Sequence, residues 1–470
     1  MRSKYKTLVS NTVIFAVGSI LVKLISFILM PLYTSVLTTE QYGIAELLNN
    51  MIEIVLPLAT LCIVEALYRF SIDEDSDRSE LLTDSFVIII LGDILVGTVC
   101  SVLYFAFGYK YSFHFLLLFA TTSLYRVSSE FARGIGHVKR YASYGVINAL
   151  LLVISNIVLL LWLGGGISAY LLSFSIGYGV TAVVSFFASQ EYRFLSADRF
   201  NTVRLKEMLR YSLPGIPNML SWWINSASDR YIMLLFWGAG SAGLYTAAGK
   251  LPAIINLVTS IFQQAWQYSA ATQIDSPDRK SFFSNVFRGY AYTCALACGG
   301  LLIANKFICR ILLKSDFYPA WKYVPFLLLA ATIGCIATYF GTFYNAVKNN
   351  KMLMISTLTG AACNILMNLI LIPLFGGFGA AIATTVSYYL ITVIRMVDIN
   401  RMIDLDINYK RLILQFILVV LSAVSSCFEG TSSIVIPICC FSLIILSDHK
   451  LLKQGFDILN GRLATGKENR

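Results

Sequence analysis

The sequence predicts an all-α polytopic membrane protein: two six-helix bundles related by a parallel repeat, with an additional helix pair at the carboxyl end. Three observations predict it. Of the 470 residues 57% are hydrophobic and 13% charged, and the mean hydropathy is +0.71, which is not the composition of a water-soluble globule. Apolar runs recur along the whole chain, bounded by charge or by Gly and Pro. A span needs about 20 such residues at about 1.5 Å each. The two halves of the chain also echo one another. A membrane barrel is excluded, because its strands would alternate polarity over about 10 residues.

Taken in order, the expected spans are 11–37, 43–70, 83–107, 112–132, 142–163, 167–188, 211–237, 241–271, 283–309, 321–345, 352–374, 378–397, 411–428 and 433–447. The first is too long for a cleaved signal peptide, carries Lys23 and is followed by no small-residue cleavage site. The acidic stretch Asp73 to Asp77 reads as a solvated loop. Most of the 36 Lys and Arg fall on one side if the amino terminus is cytoplasmic, from Arg2, Lys4 and Lys6 through Arg193 to Arg210 and on to the tail. Lys110, Lys306, Arg310, Lys314 and Lys322 fall on the other. Both termini are therefore expected inside. The net charge of +10 reports topology, and nucleic acid is not an expected partner. The outer connections, Gly164–Gly166, Gly238–Gly240 and Gly376–Gly379, leave no room for an external catalytic domain. An enzyme such as a membrane glycan polymerase or ligase is disfavoured for that reason.

Positions 212 apart coincide at Lys139/Lys351, Asn156/Asn368, Gly164/Gly376, Gly165/Gly377 and Ala169/Ala381, and Gly43 matches Gly243 at an offset of 200. Six spans per unit is an even number, so both units enter the membrane from the same side. A parallel repeat of this kind places a transport site between the halves at mid-depth. The expected units are 1–200, 201–405 and the extra pair with its tail, 406–470.

The chemistry lies in charges that interrupt the spans. Asn218, Ser221, Asn225 and Asp229 share one helical face, with Arg230 beside it, in a stretch too apolar to be a loop. A charge at the bilayer centre costs about 3 kcal/mol, so such a face looks into protein or a watery cavity. Lys23, Glu46, Glu53, Glu65, Asp93, Arg126, Glu130 and Lys250 are the other ionisable residues within spans. Glu46, Asn50 and Glu53 share a face. Lys23 and Glu53 lie at similar depths, about 21 and 16 Å from the outer ends, and could pair. Glu65 with Arg69 and Arg126 with Glu130 have the i, i+4 spacing of structural pairs. A cationic cavity among apolar helices suits an anionic cargo, and phosphate suits Arg best. A carboxylate beside an occupied cation can take up a proton. No Walker A loop, His-x-x-x-His or Cys-x-x-Cys is present, so no metal or cofactor is expected. The ten cysteines, mostly inside apolar runs, read as packing residues.

These residues resemble a family. The run Asn11-Thr12 through Lys23 to Pro31-Leu32-Tyr33-Thr34 and Leu37-Thr38-Thr39-Glu40-Gln41-Tyr42-Gly43 resembles the start of bacterial polysaccharide repeat-unit flippases. So do Asp229-Arg230, Gly243-Leu244-Tyr245-Thr246-Ala247-Ala248-Gly249-Lys250 and Gly376-Gly377-Phe378-Gly379-Ala380-Ala381. The family belongs to the multidrug/oligosaccharidyl-lipid/polysaccharide exporter superfamily, and the likeness covers roughly residues 5 to 400, leaving out the last pair of spans. It implies a V-shaped pair of six-helix bundles in the bacterial cytoplasmic membrane. It further implies transfer of an undecaprenyl-pyrophosphate-linked oligosaccharide between leaflets by alternating access, with cation or proton antiport as a drive. On this reading Lys23, Arg126, Arg230 and Lys250 hold the pyrophosphate. Asn50, Asn218 and Asn225 face sugar, and Glu46, Glu53 and Asp229 serve coupling or ion pairing. Membrane lipids, a glycan polymerase and other polysaccharide-assembly proteins are the implied partners. A lipid II flippase and a multidrug or cation antiporter are the alternatives. Lys23, where multidrug exporters carry an Asp in the first span, argues against a cationic cargo.

Overall fold

Within a bilayer every backbone N–H and C=O must find a partner in the chain, and the described residues meet that demand with helices and no strand. The structure is a computed structural model that describes residues 25–451 apart from Ser26, Glu74, Asp275, 348–350 and Lys450. The helices are α1 (Met30–Val36), α2 (Thr39–Ala59), α3 (Ile63–Ser71), α4 (Arg78–Phe107), α5 (Ser112–Gly134), α6 (Val138–Asn156), α7 (Gly166–Ala188) and α8 (Thr202–Ser212). They continue with α9 (Ile216–Ala248), α10 (Pro252–Gln273), α11 (Arg279–Leu312), α12 (Val324–Ala346), α13 (Lys351–Phe375), α14 (Gly377–Ile403), α15 (Tyr409–Ser426) and α16 (Ser432–Ser447). Nine of the described helices are long and apolar enough to cross a membrane. A tenth span follows if α2 and α3, bent by 68° at a three-residue break, count as one.

Local chemistry sets the boundaries. Thr38 and Gln41 form a reciprocal cap on α2: the Thr38 hydroxyl accepts the Gln41 N–H at 3.2 Å and the Gln41 carbonyl oxygen accepts the Thr38 N–H at 3.1 Å. The break after α2 follows Pro57 and passes through Leu61 and Cys62, both in the left-handed region at φ 53°. Expected span seven and the first residues of span eight meet in α9 at a kink at Gly238, whose φ of 77° no other residue type adopts easily, and the rest of span eight is α10. Asp77, in the acidic loop, accepts the Ser79 and Glu80 N–H groups and so starts α4. The basic segment after α7, between two expected spans, contains the amphipathic helix α8.

Contacts divide the chain into two units, Met1–Gly243 and Leu244–Arg470. In the first, α7 packs along α5 and α6, and α3, α4 and α5 close a core of Ile63, Leu67, Leu81, Leu82, Ile89, Val127 and Phe131 with Met208 of α8. There α2 also crosses the Ala239–Gly243 turn of α9. A Cβ on Gly43 would run into the Ala239 carbonyl, and one on Gly243 into the Thr39 carbonyl. In the second unit α14 packs on α12 and α13, and α10 on α12. The extra pair α15–α16 lies against α11. It is fastened by Asp448, whose buried carboxylate accepts from Arg288 Nε at 2.7 Å and Arg411 Nη1 at 2.8 Å. Burial pushes that carboxyl up, and the bonds and charge of the two arginines overcome it and hold it below the usual carboxylate range.

Candidate functional site

Glu46 is the centre of the polar cluster in the first unit. It points from α2 into the bundle and is 5% exposed. Its carboxylate accepts from the Tyr42 hydroxyl at 2.9 Å, the Tyr170 hydroxyl of α7 at 3.1 Å and Asn50 Nδ2 at 3.3 Å. Tyr33 of α1 closes the ring of phenols, its centroid 5.0 Å from that of Tyr170 and 6.0 Å from that of Tyr42. One turn on, Trp223 Nε1 of α9 donates to the Asn50 carbonyl at 3.1 Å, and the Tyr231 hydroxyl donates to the Leu47 carbonyl at 2.8 Å. Three elements, α1, α7 and α9, thus converge on the middle of α2, each through a side chain that combines an aromatic body with a polar tip.

Glu53 lies on the same helix with a different environment. It is 57% exposed and pairs with Arg126 of α5 at 2.5 Å. An ion pair this open within a membrane-spanning helix cannot face hydrocarbon, so this flank of α2 and α5 faces a polar space. Tyr125 and Tyr178, with ring centroids 5.3 Å apart, flank it. Asp229 is buried at 8% exposure, and one oxygen accepts its neighbour's backbone, the Arg230 N–H, at 2.9 Å. The Arg230 side chain is half-buried, and its Nε is buried with no hydrogen-bond partner. In the second unit Lys250 is half-buried in the turn Gly249–Leu251 that breaks the helix between α9 and α10. It was expected mid-span.

Several expected pairings are replaced. Arg69 pairs with Asp73 at 2.8 Å and not with Glu65, because the end of α3 turns it toward the acidic loop. Arg126 reaches across to Glu53, and Glu130 instead meets Arg133, i+3 on its own helix, at 3.0 Å. With Glu53 so engaged, its expected partner Lys23 lies outside the described residues, as do the side chains of Asn218, Ser221 and Asn225. Asp93 accepts from the Ser123 hydroxyl at 3.0 Å, a bond between α4 and α5.

Charges in spans that the sequence reading missed are equally informative. Arg395 of α14, 8% exposed, donates to the Ser356 hydroxyl at 2.9 Å, the Ala337 carbonyl at 3.0 Å and the Thr357 hydroxyl at 2.8 Å, joining three helices. Asp398, one turn on, accepts from the Tyr344 hydroxyl at 2.9 Å. Asp84 is fully buried in α4 and accepts the Asn201 N–H at 3.0 Å, while its second oxygen has no partner. An Arg or Asp embedded in an apolar run was the available signal for all three. All ten cysteines are free thiols, and no three His, Cys, Asp or Glu side chains cluster as metal ligands would among the described residues.

Known proteins share the family and the fold. The chain resembles the probable low-salt glycan biosynthesis flippase Agl15 of Haloferax volcanii, at 24% identity over 53% of this chain and 55% of that protein, so the match spans about half of that relative. Its fold is similar to that of the lipid II flippase MurJ in an inward closed conformation, with a TM-score of 0.69 at 14% identity, over 94% of this chain and all of that one. It is also similar to an inward-facing multidrug resistance MATE family transporter of the MOP superfamily, with a TM-score of 0.65 at 14% identity, over 82% and 96% of the two chains. The family model described as polysaccharide biosynthesis protein matches residues 8–267, more than half of the sequence, and the chain belongs to that family.

Proposed function

We propose that the protein is a flippase that moves an undecaprenyl-pyrophosphate-linked oligosaccharide repeat unit from the inner to the outer leaflet of a bacterial cytoplasmic membrane, with both termini cytoplasmic. The observation that carries the reading is Arg230. Its guanidinium interrupts an apolar span, and its buried Nε lacks an acceptor. A pyrophosphate oxygen supplies both the acceptor and the charge, in the pairing Arg forms best. Lys250, at a helix break, and Lys23 are further pyrophosphate ligands in this scheme, and Asn50, Asn218 and Asn225 meet the sugar. Arg126 joins them only when Glu53 releases it, since the two are paired. That exchange makes Glu53 a coupling group in this scheme. Glu46 and Asp229 act beside it in coupling to proton or cation antiport. The family description and the Agl15 likeness both point to glycan export.

The test is transfer of a fluorescent undecaprenyl-pyrophosphate oligosaccharide in proteoliposomes. Arg230→Ala is expected to abolish transfer with unchanged protein level and folding, while Arg230→Lys retains part of it. Full transfer by Arg230→Ala would sink the reading. Lipid II is the second reading, favoured by the MurJ-like fold over 94% of the chain. Efficient transfer of lipid II with none of the repeat unit would establish it instead.

A further inference from the structure

The segment 191–213, between α7 and α9, is bound to the first unit on one side and open on the other. On the inner side Met208 is fully buried, with Leu205 and Leu209 against the same core, and the Ser212 hydroxyl donates to the Leu61 carbonyl at 2.7 Å. The Asn201 side chain accepts the Val203 and Arg204 N–H groups and so starts α8, and its own N–H is held by Asp84. Arg204 is spent on Glu207 at 2.8 Å and lies near Glu80.

The opposite side is different in kind. Val203 is 66% exposed, and Lys206, Arg210 and Tyr211 continue its face at helical spacing. Tyr192, Arg193 and Phe200, just ahead of the helix, are exposed as well. Glu207 is the acid on that face of α8, where Arg204 holds it, and Asp198 is the exposed acid of the turn before it. Exposed apolar and aromatic groups set among unspent Lys and Arg are the pattern of a helix lying in a headgroup layer. The connectivity sets the level. The span α7 ends at Ala188 and α9 begins at Ile216, so the segment returns the chain to the same membrane face and α8 lies along it.

We propose that α8 and the turn before it form a binding surface for anionic phospholipid headgroups of the adjoining leaflet, with Lys206 and Arg210 as its principal contacts. Charge complementarity selects this partner over a zwitterionic lipid, and the exposed Val203, Phe200 and Tyr192 select a lipid surface over a free anion.

The experiment titrates the purified full-length chain in detergent with phosphatidylglycerol and, separately, phosphatidylcholine, and follows bound lipid by native mass spectrometry. Each basic contact is worth roughly fivefold in affinity. Lys206→Gln with Arg210→Gln is therefore expected to weaken phosphatidylglycerol binding roughly 25-fold and to leave phosphatidylcholine unchanged. Lys206→Arg with Arg210→Lys should keep the preference, and raised salt should erode it. Circular dichroism of the Gln variant should match the parent, since neither side chain is packed. Equal phosphatidylglycerol affinity in parent and Gln variant would overturn the proposal. So would tighter binding of a polyglutamate peptide than of phosphatidylglycerol vesicles.

Discussion

Glu46 in the first unit and Arg395 in the second bury opposite charges by mirror-image means. The carboxylate is met by donors, two phenols and an amide. The guanidinium is met by acceptors, two hydroxyls and a carbonyl. The difference lies in what the neighbours are built from. Glu46 sits among bulky rings from α1, α2 and α7, whereas Arg395 is admitted by small residues, with Gly341 leaving no room for a Cβ beside Nη1. A charge ringed by phenols depends on a few long side chains that can swing away. A charge ringed by short hydroxyls and backbone is fixed by three helices at once. On this argument the second site is architecture and the first is able to change state.

The strongest way to break the contrast is to strip the acceptors from Arg395. Ser356→Ala with Thr357→Val leaves two guanidinium donors unmet in a dry environment, at roughly 1–3 kcal/mol each. A large fall in thermal stability is expected, with no compensation from substrate.

A third buried charge sharpens it. Glu191, between α7 and α8 and fully buried, has one donor, the Ser128 hydroxyl at 2.8 Å, and its other oxygen has none. Burial outweighs that single bond and raises the carboxyl to about 7. A raised carboxyl binds its proton more tightly in the folded state. The stability it contributes is therefore complete below about pH 4.5, the unfolded value, and is lost as pH climbs through about 7. Melting temperatures across pH 5 to 8 should fall by the equivalent of about 3 kcal/mol. Glu191→Gln should flatten the curve.

The smallest effect is expected at the phenols. Tyr170→Phe removes one of the donors to Glu46 and should cost about 1–2 kcal/mol of stability. If Glu46 changes state during transport, the pH dependence of transfer in proteoliposomes should also shift. A stability loss with an unmoved pH profile would place Glu46 alongside Arg395 as architecture.

The fold was legible in the sequence because hydrocarbon imposes long apolar runs with charged ends, and the expected boundaries fall close to the helices described. The motif Leu37 to Gly43 becomes readable residue by residue only in three dimensions. Thr38 and Gln41 cap α2, Tyr42 reaches Glu46, and Gly43 permits the crossing with α9. The Glu46–Asn50 spacing was visible in advance, since it lies within one helix. Tyr170, 124 residues away from Glu46, and Glu53, 73 away from Arg126, were not, because pairing across a bundle leaves no local signature. Arg395 was passed over because it stands eight residues from Ile403, where basic residues are ordinarily topological. The helix α8 hid inside a basic connection, although Leu205, Met208 and Leu209 already carried its apolar spacing.

The interruption between α2 and α3 has a mechanical side. Breaking a helix releases carbonyls, and the one released at Leu61 is taken by Ser212, at the entrance to α9. The elbow between α2 and α3 is thereby tethered to the root of α9. Any swing of α9 about that root must either carry the elbow with it or first give up the tether, so the two helices that meet at the elbow answer to the movement of a third.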